Sequence, residues 1–163
     1  MKDKIVRNGS PEGKKPAKAK KVSTKLEKGK SIKELKAKLW PIFSKFIRLR
    51  DNYTCYTCGK VMLDNKSSCH AGHYVPQSKG NALRYDERNV HAQCFVCNNM
   101  RRGNLYEYAI RLERDYGPGI LQELDEIKKD LKKFARWELE EMIELYQGKV
   151  RDFEVCRQAE ELF

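Results

Sequence analysis

With 163 residues, 40 % of them apolar, and six cysteines, the chain can form one compact domain plus an appended segment, with a core small enough to gain from a metal staple. Its formal charge of +11 is uneven: residues 1–50 carry +13, 51–102 carry +3 and 103–163 carry −5, a distribution that fits a polyanion partner. There is no N-terminal apolar stretch of signal-peptide type and no run of about 18 apolar residues, so secretion and a membrane span are not expected. In the reducing cytoplasm this implies, cysteines are metal ligands more readily than disulfides.

Residues 1–30 are Lys-rich, with Gly9, Pro11, Gly13, Pro16 and Gly29, and read as a disordered basic arm. Ser31-Ile32-Lys33-Glu34 is a capping box that opens a helix over 31–50. Leu35, Leu39, Trp40, Phe43, Phe46 and Ile47 recur along it at helical spacing, so its aromatics read as core. Pro41 either kinks this helix or starts a second one. Residues 51–104 form a separate module of short segments. A hairpin turn near Asp64-Asn65 flanks a strand over Cys69–Val75, a loop runs through Gly80 to Arg88, and Asn89–Cys97 forms a strand or turn leading into a helix near Asn98. From 105 to 163 the chain is helical. Leu105, Tyr108, Ala109 and Leu112 make one apolar face, with Asn104 as the expected cap. Gly117-Pro118-Gly119 breaks the pattern. Ile120, Leu121, Leu124, Ile127 and Leu131 make a second face, and Leu139, Met142, Ile143, Tyr146 and Val150 a third. This region is expected to pack on the central module or on a second copy.

Chemistry concentrates between two Cys-x-x-Cys pairs, Cys55/Cys58 and Cys94/Cys97, which are 35 residues apart. Each pair forms a knuckle presenting two thiolates, and four thiolates close a tetrahedral site of the structural zinc type. Closed coordination leaves no position for water, so such a zinc is a scaffold rather than a catalyst. The gap is longer than the roughly 15–20 residues of simple zinc ribbons and leaves room for an inserted hairpin. Cys69 and Cys156 read as small buried residues. All three histidines, His70, His73 and His91, lie inside the clip within 22 residues.

The order Cys-x-x-Cys, Gly72-His73-x-x-Pro76, Asn89, Cys-x-x-Cys-Asn98 resembles the HNH, or His-Me finger, nucleases with a zinc-bound ββα module. The segments Phe46–Asp51, Ala71–Pro76, Asp86–Cys94 and Gly103-Asn104 extend the likeness to the NinG/Rap family of lambdoid phage recombination endonucleases, over about residues 35 to 150. The resemblance implies an α+β fold with a small zinc-bound ββα module flanked by an N-terminal helix and C-terminal helices. It implies a metal-dependent, structure-selective DNA endonuclease of phage or prophage origin, acting in the bacterial host cytoplasm on branched recombination intermediates such as Holliday junctions. His73 is then the general base that takes a proton from the attacking water, Asn89 orients the loop and the base, and Asn98 binds a catalytic Mg²⁺ or Mn²⁺.

The chain departs from the wider pattern at Gly72, where many such nucleases carry a metal-binding side chain. His91 is the first candidate to replace it and is counted with the catalytic residues; His70 is the second and Asp86 the third. Lys79, Arg84, Arg88, Arg101 and Arg102 flank the site and are the expected nucleic-acid contacts. Cuts paired across a junction would suit a homodimer, and recombination proteins are possible partners. Two other functions fit the same residues: a non-catalytic zinc module that binds DNA or recruits recombination proteins, and an RNA-binding or antitermination accessory protein in which the basic arm does the main work.

Overall fold

A computed structural model describes residues 30–63 and 67–160. The basic arm through residue 29 and the expected turn at Asp64-Asn65 lie outside the described residues.

The first helix, α1, spans Ile32–Arg50. Its start is fixed reciprocally: Glu34 N–H donates to Ser31 Oγ at 3.3 Å, and Ser31 N–H donates to Glu34 Oε2 at 2.7 Å. These bonds occupy donors that have no partner in the helix itself. Pro41 lies inside one uninterrupted helix and does not start a second. It is exposed, so its ring sits away from the packed face. That face buries Leu35, Leu39, Phe43, Phe46 and Ile47. It packs mainly against the last helix, here α4, Arg136–Glu160. Phe43 meets Tyr146 edge-on at 4.8 Å, and Phe46 contacts Tyr146 and Phe153 at 5.2 and 6.0 Å. Aromatic pairs of this kind add about 0.5–1.5 kcal/mol each beyond the area they bury.

Against α1 lies a two-stranded antiparallel sheet, β1 (Cys69–His73) and β2 (Val90–Cys94). Its register pairs Cys69 with Cys94, His70 with Gln93, Gly72 with His91 and His73 with Val90. Strand alternation then sets His70, Gly72, Gln93 and His91 on one face. The opposite face carries Cys69, Ala71, Val90, Ala92 and Cys94, which join the core built on α1 and α4. A second core holds Val75, Leu83, Tyr108, Leu112, Ile120 and Leu124. It joins the loop between the strands, which contains a 3₁₀ turn at Ala82–Tyr85, to α2 (Leu105–Tyr116) and α3 (Ile120–Ile127). After β2 the chain makes one π-helical turn, Val96–Met100.

The architecture is therefore α+β, helices around a small two-stranded sheet. The structure differs from the sequence reading at four places. β1 ends at His73, ahead of Val75 and Pro76. The α3 helix stops at Ile127, and Leu131 is 91 % exposed. Phe134, buried edge-on against Tyr85, takes the anchoring role instead. Asn104 stands at the N-cap of α2 in a left-handed conformation, φ 48°, without capping it; its Nδ2 points to Cys97 Sγ at 3.9 Å. Cys69 is buried as expected, but Cys156 is exposed. No helix among the described residues is long and apolar enough to cross a membrane.

Candidate functional site

The four Sγ atoms of Cys55, Cys58, Cys94 and Cys97 all lie within 4.8 Å of one another, and none is in a disulfide. Tetrahedral zinc with Zn–S near ~2.3 Å has S···S edges of about 3.8 Å; Cys58 and Cys94 are 3.9 Å apart. The four cysteines can hold a metal ion such as zinc. Donors reach the sulfurs of Cys55 and Cys94, whereas burial pushes the Cys58 and Cys97 thiols up. Cys97 N–H points to Cys94 Sγ at 3.4 Å, and Thr57 Oγ1 lies 3.4 Å from Cys55 Sγ. Burial alone would raise the Cys55 thiol, but the hydrogen bonds it receives from Thr57 and from backbone N–H groups hold it below its usual range. Gly59 closes the first knuckle at φ +73°, its N–H donating to Cys55 O at 2.8 Å. Because Cys94 ends β2, a metal at this clip fixes one end of the sheet.

Gly72 faces two carboxamides. A Cβ there would lie 2.1 Å from Gln93 Oε1 and 2.9 Å from Asn98 Oδ1, so no larger residue fits without moving Gln93. Gln93 is fully buried. Its Nε2 donates to Gly103 O at 2.7 Å and Thr57 Oγ1 at 3.3 Å, while its Oε1 is buried with no hydrogen-bond partner. The carbonyl at Gly103 can only accept, which fixes the amide orientation and leaves the oxygen toward Gly72. Asn98 Nδ2 donates to Asn99 Oδ1 at 2.9 Å and lies 2.9 Å from His70 Nδ1. Two carboxamide oxygens thus lie where a side chain at residue 72 would begin.

His73 ends β1 beneath Trp40, the rings stacked at 5.3 Å. Its Nε2 lies 3.1 Å from Arg84 O. A carbonyl accepts only, so Nε2 carries the hydrogen and Nδ1 keeps its lone pair. Burial depresses the imidazole pKa, against a smaller opposing effect of the Arg84 carbonyl. Asn89 ties the loop that supplies this carbonyl. Its Oδ1 accepts from Val75 N–H at 2.7 Å, and its Nδ2 donates to Val75 O and Leu83 O, both at 3.1 Å. Asn89→Ala is expected to leave these buried groups unpaired and cost roughly 2–4 kcal/mol, read as a fall in melting temperature of about 5–15 °C. A melt within a degree or two of wild type would show that the loop does not depend on Asn89.

His91, the first candidate to replace the missing ligand, is held by protein groups in the structure. It is 4 % exposed, stacked on Tyr56 at 3.7 Å, and both ring nitrogens are engaged. Arg50 Nη2 points to Nδ1 at 2.9 Å, with Asp51 Oδ2 at 3.4 Å; Nε2 faces Tyr116 OH at 3.4 Å. Asp51 in turn accepts from Ala92 N–H at 2.6 Å, so this network locks α1 to β2. Asp86 is also spoken for, since it binds Arg88 through both oxygens.

The chain matches the family described as Bacteriophage Lambda NinG protein over residues 2–155. It belongs to the NinG family. It is 38 % identical over 116 residues to Protein ninG of Salmonella phage P22, and 35 % identical over 116 residues to Protein ninG of Escherichia phage lambda. Those matches cover 69 % of this chain and 54 % and 53 % of the phage proteins, so the chain spans about half the length of the curated relatives it matches. No solved structure matches it.

In this NinG-family chain the expected basic contacts separate into two groups. Arg88 is neutralised by Asp86 at 2.9 Å and Glu123 at 2.5 Å, which fastens the loop to α3 and removes it as a free cation. Lys79, Arg101 and Arg102 are exposed, and no ion pair engages them among the described residues. Arg84 lines a cleft beside Trp40 with Lys33 and Lys36, and its Nε is buried without a partner. Three residues escape the sequence reading of this NinG-family chain. Trp40 reads as core but lies over His73. Gln93 reads as an ordinary strand residue, although the missing side chain at Gly72 signals that something else fills its place. Arg48 stands off the apolar stripe from Leu35 to Ile47, where helical periodicity expects exposure, yet it is buried.

Proposed function

We propose that this protein is a metal-dependent DNA endonuclease of branched substrates, with His73 as the general base. The zinc clip, β1, β2 and the turn carrying Asn98 then form a compact ββα module of the His-Me finger kind. The observation that carries the reading is the state of His73. Burial disfavours its charged form, and in the neutral ring an Nε2–H directed at Arg84 O leaves the Nδ1 lone pair free, as proton abstraction from water requires. Asn89 holds the loop that sets this tautomer. Gln93 Oε1 and Asn98 Oδ1, with His70 beside them, would hold the divalent ion, which when bound supplies charge stabilisation to a reacting phosphate. Gln93 stands in for the side chain absent at Gly72.

Two neutral amides bind a divalent ion weakly unless substrate phosphates complete the shell. Asn98→Ala and Gln93→Ala should therefore raise the Mg²⁺ or Mn²⁺ concentration needed for cleavage at least tenfold while DNA binding without added metal stays unchanged. Variants that cleave at the wild-type metal concentration would remove these residues from the ion site.

The competing reading is a zinc-organised module that binds DNA or recruits recombination proteins without cutting. It is favoured by Trp40, whose ring covers one face of His73. The two readings divide on cleavage alone, since both require DNA binding.

A further inference from the structure

The stripe Trp40, Ser44, Arg48 lies at helical spacing on one side of α1. Trp40 contacts His73, and Arg48 shares a cleft with Cys69 and His70, so the stripe follows β1 from its end back to its beginning. That cleft, of about 330 Å³, is also walled by Asn98. Trp40 and Pro41 are shared with the neighbouring cleft, which carries Arg84, so the two depressions adjoin across the Trp40 ring that stacks on His73. Among the described residues, neither is lined by an acidic side chain.

Arg48 is the anomaly in the first of these clefts. It is 7 % exposed, yet it makes no ion pair among the described residues. Among the described residues its guanidinium makes one hydrogen bond, from Nη1 to Ser44 Oγ at 2.7 Å, and its Nε is buried with no acceptor. A guanidinium has five donors and is always charged. Taking such a group out of water without a counter-charge is destabilising, because desolvation is not offset by any partner. Contrast Arg50, two residues on, which donates to Asp51 and to the carbonyls of Glu87 and Val90. Arg50 is a structural arginine with its acceptors in place. Arg48 has the same burial problem with its acceptors missing.

We propose that Arg48, held by Ser44, is an oxyanion clamp that takes a phosphodiester of a DNA strand lying in this cleft, beside Asn98. The phosphate supplies the acceptors that the protein does not. Arg84, whose Nε is also unpartnered and buried, flanks Trp40 on the other side and would take a second phosphate of the same strand. The inference rests on the DNA-directed reading above, but not on cleavage.

The test uses the zinc-loaded full chain with no other divalent ion, measuring melting temperature and affinity for a four-way DNA junction over a salt series. R48M keeps the stem volume and removes the buried charge. If Arg48 is a clamp, R48M melts at or above the wild-type temperature, binds the junction about tenfold more weakly, and loses about one from the salt slope. Inorganic phosphate should raise the melting temperature of wild type and not that of R48M. If R48M melts several degrees lower and binds like wild type, Arg48 is a structural residue and the clamp is wrong. Should R48M be both unstable and weak, R48K decides: it keeps the charge but not the fork, so wild-type stability with several-fold weaker binding supports the clamp, and wild-type affinity overturns it. A chain that shows the clamp pattern but never cuts DNA would keep this inference and discard the nuclease.

Discussion

Removing metal from the four cysteines is expected to unfold the centre of the molecule. Structural zinc in small modules contributes an apparent ~10–16 kcal/mol near neutral pH, which is as large as the whole net stability of a typical domain, about 5–15 kcal/mol. Here the clip joins a knuckle after α1 to the end of β2, and Cys55, Cys94 and Cys97 are buried in the core they share with α1. Stripping the metal leaves three buried thiols in one place with nothing to organise them. A strong chelator should lower the melting temperature by tens of degrees, and Cys94→Ser should do the same without chelator. The loss should be uneven. Phe43, Phe46, Tyr146 and Phe153 pack α1 on α4 away from the thiols, so part of the helical circular dichroism should remain. A melt indifferent to chelator would show that the cysteines are merely buried.

His73→Ala is expected to reduce DNA cleavage by about 10²–10⁴-fold, the usual contribution of a positioned general base, while junction affinity changes little. The pH profile carries more information than the loss itself. Burial lowers the His73 pKa, so the neutral base persists below the ordinary histidine range near 6.5. Wild-type cleavage should therefore hold its plateau into mildly acid pH before falling. The same shift has a consequence for stability with a definite sign. Between the depressed native pKa and about 6.5 the unfolded chain binds a proton at this position and the native chain does not. Stability from the neutral ring is complete above that window and is lost as pH falls through it. His91, also depressed chiefly by burial, adds in the same direction. His73→Gln should flatten part of this acid loss, and an unchanged pH dependence would mean that the ring titrates as if exposed.

Sequence alone made the scaffold legible where local rules are strict. The capping box at Ser31, the apolar stripe from Leu35 to Ile47, the break at Gly117 and the two Cys-x-x-Cys knuckles depend on residues close in the chain. What escaped depends on register and on long-range partners. Nothing local in Val90–Cys94 shows that His91 would be sealed between Tyr56 and Arg50, or that Gln93 would turn its oxygen onto Gly72. Those outcomes follow from pairing Gly72 with His91 in the sheet. The failure at Leu131 has the same origin, since Phe134 finds Tyr85 only once the loop is folded. Arg88 looked like a nucleic-acid contact until Glu123, 35 residues away, closed on it. Arg48 escaped likewise: helical periodicity leaves it off the apolar stripe, and only the fold shows it buried, its Nε without a partner among the described residues.

The most direct measurement is cleavage of a labelled four-way DNA junction by zinc-loaded wild-type protein, with and without Mg²⁺ or Mn²⁺, beside His73→Ala. Strand scission that needs the added ion, and that His73→Ala loses while still binding the junction, is the predicted result. Tight binding by both proteins with no scission by either, across branched, flapped and linear DNA, would contradict the catalytic assignment and leave a zinc-organised DNA-binding module in its place.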